Sequence, residues 1–209
     1  MIVFAAETMK TIQGLKGSQT EENLMRAFAG ESQARNRYTI AAATAKKNNL
    51  HVIESIFTFT ANQEREHAEI FYNFLKECTG SSIFIDGGYP VDVYDDVYSL
   101  LDAAMKSEHE EHDDVYKNFG EIAEQEGFLP IAHAFKAIGA IEKTHGDRFG
   151  HFAKLIKDNQ LFSSETDTSF VCLNCGHVHT EKEVPDKCPV CQHDRGYFIR
   201  QELMPWGKF

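Results

Sequence analysis

The chain has 209 residues, 42% of them hydrophobic and 25% charged, which suits a globular protein with one sizeable domain and a small second module. Its formal charge of −11 excludes sequence-independent binding of nucleic acid, because that requires a basic surface. No apolar run approaches the ~18–20 residues that a membrane span needs.

The N-terminal segment predicts no secretory signal. Met1–Ala6 has no basic leader and is too short for a signal peptide, so we expect a cytoplasmic protein. Residues 1–8 look like an added extension, and Met9 is an alternative start. In the cytosol, paired cysteines indicate metal or redox chemistry rather than structural disulfides.

A first helix is predicted from Thr20, a capping residue followed by two acidic residues, to about Asn48–Asn49. Its inward stripe, at helical spacing, comprises Leu24, Ala27, Phe28, Glu31, Ala34, Tyr38, Ala41 and Ala45. Glu31 is the anomaly in this stripe, because carboxylates are almost never fully buried unless they are paired or coordinated.

A second helix is predicted from about His51 to Glu77, and its stripe again carries polar residues, Glu64 and His67. Turn-forming residues follow it, at 79–82 and 86–90. This irregular passage is about fifteen residues long, enough to cross the length of a helical bundle.

A third helix is predicted from about Val93 to Gln125, with Glu108 and Glu111 on its apolar face. Glu126-Gly127 ends it. Pro130 suits the first turn of a fourth helix, whose inward stripe carries Glu142 and His145.

The second and fourth helices repeat one another at an offset of 78 residues. Phe57, Glu64, His67, Phe71 and Phe74 match Phe135, Glu142, His145, Phe149 and Phe152, and Tyr38 matches Tyr116. The repeat slips at Glu31, which falls opposite His109 rather than Glu108 or Glu111. It therefore identifies the helix that carries the equivalent carboxylate but not the residue.

The inward carboxylates predict a dinuclear metal site. Each lies about 14–19 residues from the turn that joins its helix pair, so antiparallel helices would bring them to one level. Buried carboxylates without partners would cost several kcal/mol each, whereas two divalent cations offset them. A glutamate from each of two helices plus Glu-x-x-His from each of two others is the pattern of carboxylate di-iron bundles. Oxygen-rich ligation with two imidazoles favours iron or manganese.

A four-thiolate metal site is predicted near the C-terminus. Residues 158–169 are polar and aperiodic and are interpreted as a linker. Two C-x-x-C pairs with a 12-residue gap follow, formed by Cys172, Cys175, Cys188 and Cys191. Iron there would carry electrons, whereas zinc would only hold the fold. The remaining cysteine, Cys78, is expected to be a buried packing thiol.

The predicted fold is all-α, with four helices over residues 1–157, a long crossover between the second and third helices, and a small metal-binding module over residues 170–209. Tyr38 and Tyr116 lie on or beside the inward stripes. They are either core aromatics or residues that support the metal ligands.

With both sets of ligands in place, residues 9–209 closely resemble the rubrerythrin family. Ala27–Tyr38 and Gln63–Ala68 look like its first two signature helices, while Glu108-x-x-Glu111 and Glu142-x-x-His145 look like the next two. The cysteine pairs look like its rubredoxin-like tail. Gln192 departs from the glycine found at that place in free rubredoxins, which bears on the tuning of the iron and not on its ligation.

The resemblance implies a ferritin-like bundle with two non-haem irons, plus one iron in the four-cysteine site. It implies a peroxidase that reduces hydrogen peroxide to water in defence against oxidative stress. Electrons would come from an external donor, a rubredoxin or an NAD(P)H-dependent reductase. A homodimer is also implied, with one subunit's tail near the other's di-iron centre.

The resemblance also assigns roles to residues. Glu64 and Glu142 would bridge the irons, and Tyr38 and Tyr116 would hydrogen-bond near them. His67 would exchange with Glu111 on one iron as the redox state changes. The terminal ligands would be Glu31, Glu108, Glu111 and His145.

Three alternatives stay open at this point. The bundle would also suit a ferritin-like ferroxidase that handles iron, or an oxidase that reduces dioxygen. A metal sensor tethered to a structural zinc module is the third.

Overall fold

The computed structural model describes residues 14–204. The predicted extension over residues 1–8 and the alternative start at Met9 lie outside this range.

Four long helices account for most of the described chain, as the sequence predicts. Two are single elements that follow one another, α1 (Gln19–Lys47) and α2 (His51–Phe74), and a 3-10 turn over Leu75–Cys78 extends α2. The third helix consists of α3 (Val97–Glu110), a π-helical turn (Glu111–Val115) and α4 (Tyr116–Gln125). The fourth is α5 (Leu129–Lys157). None of the described helices has the length and apolar character needed to cross a membrane.

Two predicted helix starts are wrong. Helix α1 is capped by Ser18, whose hydroxyl oxygen accepts a hydrogen bond from the Glu21 N–H at 3.0 Å. Thr20 lies inside the helix, and its N–H donates to the Glu126 carboxylate at 2.8 Å. The third helix begins at Val97 rather than near Val93, because the Asp96 carboxylate accepts a hydrogen bond from the Ser99 N–H at 2.8 Å and so caps α3.

Contacts between residues group the chain into two units. The first comprises the described parts of Met1–Arg35, Asn62–Val91 and Ser107–Thr144. The second comprises the described parts of Asn36–Ala61, Asp92–Lys106 and His145–Phe209. The first unit therefore holds most of the predicted helical ligands, and the second holds the α1–α2 turn, His145 and the C-terminal module.

Aromatic pairs show that α1 and α2 are antiparallel. In the first unit, Phe28 stacks on Tyr72 with ring centroids 4.6 Å apart. In the second unit, Tyr38 packs against Phe57 at 5.9 Å. Each pair joins a residue before the short turn to a residue after it, and in that turn Asn49 adopts a φ of 55°. This hairpin sets the ligand-bearing stretches of α1 and α2 side by side.

The C-terminal module is a three-stranded antiparallel sheet in the order β2-β1-β3. Its strands are β1 (Ser163–Cys172), β2 (Val178–Glu183) and β3 (Phe198–Arg200). The buried residues of its core are Phe170, Cys172, Val184, Cys188 and Phe198. Two of the four predicted thiolate ligands are thus part of the core.

The predicted linker is wrong from Ser163 onward, because β1 begins there. Residues 163–168 are polar, and three of the six are exposed, so they lack the alternation that marks a strand. Even so, Ser163 pairs with Glu183 and Thr168 with Glu181. The partner strand, and not local pattern, gives this stretch its structure. The domain limits, 1–157 and 170–209, stay a prediction.

Within the second unit, the module packs on the α1–α2 turn. His51, the first residue of α2, stacks on Tyr197 with ring centroids 4.0 Å apart. The His51 Nε2 atom lies 3.7 Å from a carboxylate oxygen of Asp194. At Gly196 the backbones approach so closely that a Cβ atom would lie 1.8 Å from the Asn49 carbonyl oxygen.

We therefore expect Gly196→Ala to destabilise the protein by about 1–3 kcal/mol, because a methyl group at this place forces the module away from the turn. Denaturant unfolding monitored by fluorescence measures the change. Gly88→Ala is the matched control, since a Cβ atom there meets nothing within 4 Å. Equal stability of the two variants would contradict the prediction.

Candidate metal centres

Six carboxylate and imidazole side chains with inward positions are almost completely buried. Their exposed fractions are 1% for Glu31, 0% for Glu64, 5% for His67, and 0% for Glu108, Glu142 and His145. Each sits at the mid-stripe position that the sequence assigns it, one on α1, two on α2, one on α3 and two on α5. The hydrophobic effect buries the apolar stripes of these helices, and the polar groups are buried because they lie on the same stripes.

The first candidate group for a metal ion consists of Glu31, Glu64, His67 and Glu142, whose ligand atoms all lie within 4.8 Å of one another. The His67 Nδ1 atom lies 2.8 Å from a Glu142 oxygen, 3.5 Å from a Glu64 oxygen and 3.7 Å from a Glu31 oxygen. Three carboxylates and one imidazole thus surround a single point.

Electrostatics in the first group are dominated by burial and by like charges. Burial, followed by the neighbouring carboxylate of Glu142, holds the pKa of Glu31 well above its usual range. Burial by itself would lower the pKa of His67, but hydrogen bonds to the Glu142, Glu31 and Glu64 carboxylates hold that pKa well above its usual range. This cluster of acids therefore strongly favours a cation in its midst.

The second candidate group consists of Glu64, Glu108, Glu142 and His145, again with ligand atoms within 4.8 Å of one another. His145 follows Glu142 by one turn of the same helix, as the Glu-x-x-His spacing predicts. Glu64 and Glu142 occur in both groups. A carboxylate has two oxygens, so these two residues are placed to serve two ions at once.

The residues fit a pair of divalent cations. Four fully buried carboxylates repel one another in a low-dielectric interior, and two cations of charge +2 offset that repulsion. Carboxylate oxygens with one imidazole per ion suit iron or manganese. The burial, the distances and the donor types therefore agree with a dinuclear site.

Glu111 belongs to neither group, although the sequence places it on the inward face. It is half-buried and is the first residue of the π-helical turn. Its predicted role as a ligand stays a prediction.

The π-helical turn explains why the internal repeat slips by one residue. Glu31 and Tyr38 are seven residues apart, whereas Glu108 and Tyr116 are eight apart. Eight residues of regular α-helix would leave two side chains about 80° apart around the axis, and seven leave them about 20° apart. A π-helical turn absorbs one extra residue. Glu108 and Tyr116 can therefore both be buried on one face, and Glu108 is the equivalent of Glu31.

Sequence reasoning missed this turn. Its signal was that Glu31, at the offset of 78, falls opposite His109, one residue after Glu108. Helical periodicity assumes a constant rise and rotation per residue, so it has no place for a local change of hydrogen-bond pattern.

The two tyrosines differ in their surroundings. The Tyr116 hydroxyl donates a hydrogen bond to a carboxylate oxygen of Glu31. Burial, and then the Glu31 charge, hold the pKa of Tyr116 well above its usual range, so the hydroxyl keeps its proton and remains a donor. Tyr38 is also buried and packs against Phe57 and Phe149. Of the two alternatives that the sequence leaves open, the hydrogen bond to Glu31 favours support of a ligand for Tyr116. For both tyrosines that role stays a prediction.

The four cysteines of the module also come together. Cys172 and Cys191 have sulfur atoms 3.8 Å apart, and those of Cys175 and Cys188 are 3.6 Å apart. A tetrahedral ion with bonds of about 2.3 Å would hold its sulfur ligands about 3.8 Å apart. The residues therefore fit one tetrahedral metal ion.

Matching backbone turns carry the two cysteine pairs. The Gly176 N–H donates to the Cys172 carbonyl oxygen at 2.8 Å, and the Gln192 N–H donates to the Cys188 carbonyl oxygen at 2.9 Å. Both residues have a positive φ, 78° and 61°. Gln192 therefore adopts the glycine-type conformation despite its side chain, so its departure from glycine leaves the ligand geometry intact.

Thiol acidity differs across this site. A hydrogen bond from the His193 backbone N–H lowers the pKa of Cys191 to about 6, whereas burial raises the pKa of Cys172 to about 12. Binding a metal at this site must therefore displace at least the Cys172 proton at neutral pH.

Cys78 is the remaining free thiol of the described chain, and it is buried, as expected. Its sulfur donates a hydrogen bond to a Glu21 carboxylate oxygen at 3.0 Å. Burial and that carboxylate raise the pKa of Cys78 to about 12, which makes the thiol unreactive.

Residues 22–153 match the family described as Rubrerythrin, and residues 170–199 match the one described as "Rubrerythrin, rubredoxin-like domain". Rubrerythrin of Clostridium perfringens is 41% identical over 188 residues, covering 90% of this chain and 96% of that protein. Rubrerythrin of Nitratidesulfovibrio vulgaris is 41% identical over 187 residues, with the same coverage of 90% and 96%.

Among solved structures, nigerythrin in a partially reduced state is similar in fold. The TM-score is 0.59 at 25% sequence identity, and the match covers 94% of this chain and 90% of that chain.

Proposed function

Because the chain belongs to the rubrerythrin family, with its ferritin-like helices and rubredoxin-like module, we propose that it is a peroxidase that reduces hydrogen peroxide to water. The family is one of oxidoreductases with a di-iron carboxylate site and a four-cysteine iron site. The balanced reaction is H2O2 + 2 e⁻ + 2 H⁺ → 2 H2O, so the protein has to supply electrons, protons and a protected reaction site.

The observation that carries the proposal is the pair of buried ligand groups that share Glu64 and Glu142. When two ferrous ions are bound there, the site supplies both electrons at once and Lewis acidity toward the departing oxygen, so cleavage of the O–O bond need not release a radical. Glu31 and His67 complete one group, and Glu108 and His145 complete the other.

The chain's own residues prepare this chemistry in two ways. Burial of the six ligands excludes bulk water from the reaction site. Tyr116 keeps a proton on its hydroxyl beside Glu31, close to where the reaction consumes protons. Glu111 is half-buried at the π-helical turn, and its charge helps to raise the pKa of Glu31, which belongs to the same candidate group as His67. Glu111 would therefore be placed to exchange with His67 as the redox state changes, since a ferric ion prefers oxygen to nitrogen.

The C-terminal module would deliver electrons one at a time from an external donor, a rubredoxin or an NAD(P)H-dependent reductase. Its surface supports this role, since Cys175 is exposed and Cys191 is half-buried. Val190, between the last two cysteines, is 66% exposed. A donor can therefore approach the sulfur ligands directly. We further propose that the protein acts in the cytoplasm, in defence against oxidative stress, and as a homodimer.

Reoxidation kinetics test the peroxidase assignment. Iron-loaded protein is reduced with dithionite under anaerobic conditions, freed of reductant, and mixed in a stopped-flow instrument with hydrogen peroxide or with oxygen-saturated buffer. We expect peroxide to reoxidise the di-iron site at least about tenfold faster than oxygen at equal concentration, because the two electrons that the site holds reduce peroxide completely to water, whereas complete reduction of oxygen to water needs four. Faster reaction with oxygen would instead identify a dioxygen-reducing oxidase.

A further inference from the structure

A cavity of about 250 Å³ lies within the first unit, between α1, the π-helical turn and the crossover segment. The crossover segment is defined here as residues 86–90, which precede α3. Its lining is mixed in character. Ala27, Val115 and Phe119 give it apolar walls, and Glu111 and Tyr116 give it a polar end.

The polar end of the cavity reaches the metal ligands. Tyr116 lines the cavity and donates its hydroxyl hydrogen bond to Glu31, a member of the first ligand group. Glu111, which also lines the cavity, is the carboxylate predicted to exchange on one iron. A small molecule in the cavity is thus one side chain away from the proposed reaction site.

Gly30 is the residue that keeps this space open. It lies in the interior of α1, where glycine destabilises a helix relative to alanine. Its φ is not positive, and a Cβ atom there would meet only the Tyr89 ring, at an ordinary 3.8 Å. Neither backbone conformation nor packing therefore requires glycine. A larger side chain at this position would instead project into the cavity that Gly30 lines.

Tyr89 forms the facing wall, and the neighbouring residues hold it there. Its hydroxyl donates to the Arg26 carbonyl oxygen at 3.3 Å. The Arg26 guanidinium in turn binds Asp86, with 2.7 Å to the carboxylate and 3.1 Å to the carbonyl oxygen. Gly87 leaves room for the ring, because a Cβ atom there would lie 3.1 Å from the Tyr89 hydroxyl. The crossover segment is thereby fixed against α1.

We propose that this cavity is the passage by which peroxide reaches the buried ligands, and that Gly30 and Tyr89 set the size of the hydroperoxide it admits. The inference rests on the proposed function and extends it to small alkyl hydroperoxides, whose apolar group fits the walls and whose peroxide group fits the polar end. The reaction is ROOH + 2 e⁻ + 2 H⁺ → ROH + H2O, with electrons from the same external donor through the four-cysteine site.

The test compares Gly30→Leu with the wild-type protein on two substrates, hydrogen peroxide and tert-butyl hydroperoxide. A leucine side chain fills the cavity, so we expect kcat/KM for tert-butyl hydroperoxide to fall at least about tenfold, and by a larger factor than for hydrogen peroxide. Tyr89→Ala widens the passage and should raise the ratio of tert-butyl hydroperoxide to hydrogen peroxide turnover. Ala43→Leu is the matched control, because it introduces the same leucine side chain at an exposed position of α1.

A second readout does not depend on turnover. Crystals of the iron-loaded protein pressurised with xenon should show a xenon atom beside Ala27, Gly30 and Phe119, since xenon occupies apolar cavities. The same site should be empty in Gly30→Leu, and its occupancy in Ala43→Leu should match the wild type.

The outcomes separate the two proposals. Wild-type rates with both substrates in Gly30→Leu would overturn the passage while leaving the peroxidase in place. Retained xenon binding in Gly30→Leu would overturn the assignment of Gly30. A wild-type protein that consumes neither peroxide would overturn the proposed function and the passage with it.

Discussion

Replacing Cys172 with serine is expected to abolish peroxide turnover with an external electron donor while the di-iron site keeps its own reactivity. Cys172 ends β1 at 0% exposure, with its sulfur 3.8 Å from that of Cys191. A serine hydroxyl keeps its proton at neutral pH and is a poor ligand for iron, so the module should lose its metal. Turnover should fall by more than ~100-fold, because replacing a residue that only hydrogen-bonds to a metal ligand already lowers metal affinity or activity by about 10–100-fold.

Two measurements separate loss of electron delivery from loss of structure. Steady-state turnover with a reductase reports on delivery, and stopped-flow mixing of chemically reduced protein with one equivalent of peroxide reports on the di-iron site alone. We expect Cys172→Ser to lose steady-state turnover and to keep the wild-type rate of reaction with one equivalent of peroxide. Cys78→Ser is the matched control, because serine retains the hydrogen bond to Glu21 and Cys78 belongs to neither metal site.

Loss of both activities in Cys172→Ser would show that the module stabilises the helices as well as feeding them electrons. Undiminished steady-state turnover would rule out electron transfer through the four-cysteine site.

Replacing Glu64 with alanine is expected to remove most of the iron from the helical site. Glu64 is fully buried and belongs to both candidate groups, so its loss would remove an oxygen ligand from each. Glu108 belongs to one group only, and Glu108→Ala should therefore retain more iron. With the module's iron subtracted, we expect the iron content at the helices to fall at least about fivefold in Glu64→Ala.

Metal analysis by plasma mass spectrometry, together with the visible absorption spectrum, measures this loss. Glu64→Gln preserves side-chain volume and removes only the charge, so it separates ligand loss from a packing defect. Glu66→Ala is the matched control, because Glu66 is exposed and pairs with Arg65. Full iron occupancy in Glu64→Ala would contradict the shared role of Glu64.

The same side chains show how far local sequence carries the site. Glu64, His67, Glu142 and His145 are buried as predicted, because the Glu-x-x-His spacing puts both side chains on one helix face and their apolar neighbours indicate that the face is buried. The cysteines were equally clear, since each C-x-x-C pair forms a local turn whose sulfur atoms converge.

Glu108 and Glu111 mark where local reasoning stopped. Both fit the apolar stripe of a regular helix, but only Glu108 joins a ligand group. The π-helical turn that begins at Glu111 decides this, because it changes the phase of the helix by one residue before Tyr116. The internal repeat signalled this change as a slip of one residue, but it did not show whether Glu108 or Glu111 was the equivalent of Glu31.

The sequence by itself predicted the candidate ligand types, the helices that carry them and two separate metal sites, because each depends on spacings of a few residues along the chain. Tertiary structure alone decided the contact of the Glu126 carboxylate with the first turn of α1, the strand that begins at Ser163, and the cavity at Gly30. Each of these depends on a partner far away in sequence, whose distance and orientation no local pattern contains. The candidate ligands follow from periodicity, whereas the cavity beside them follows from packing.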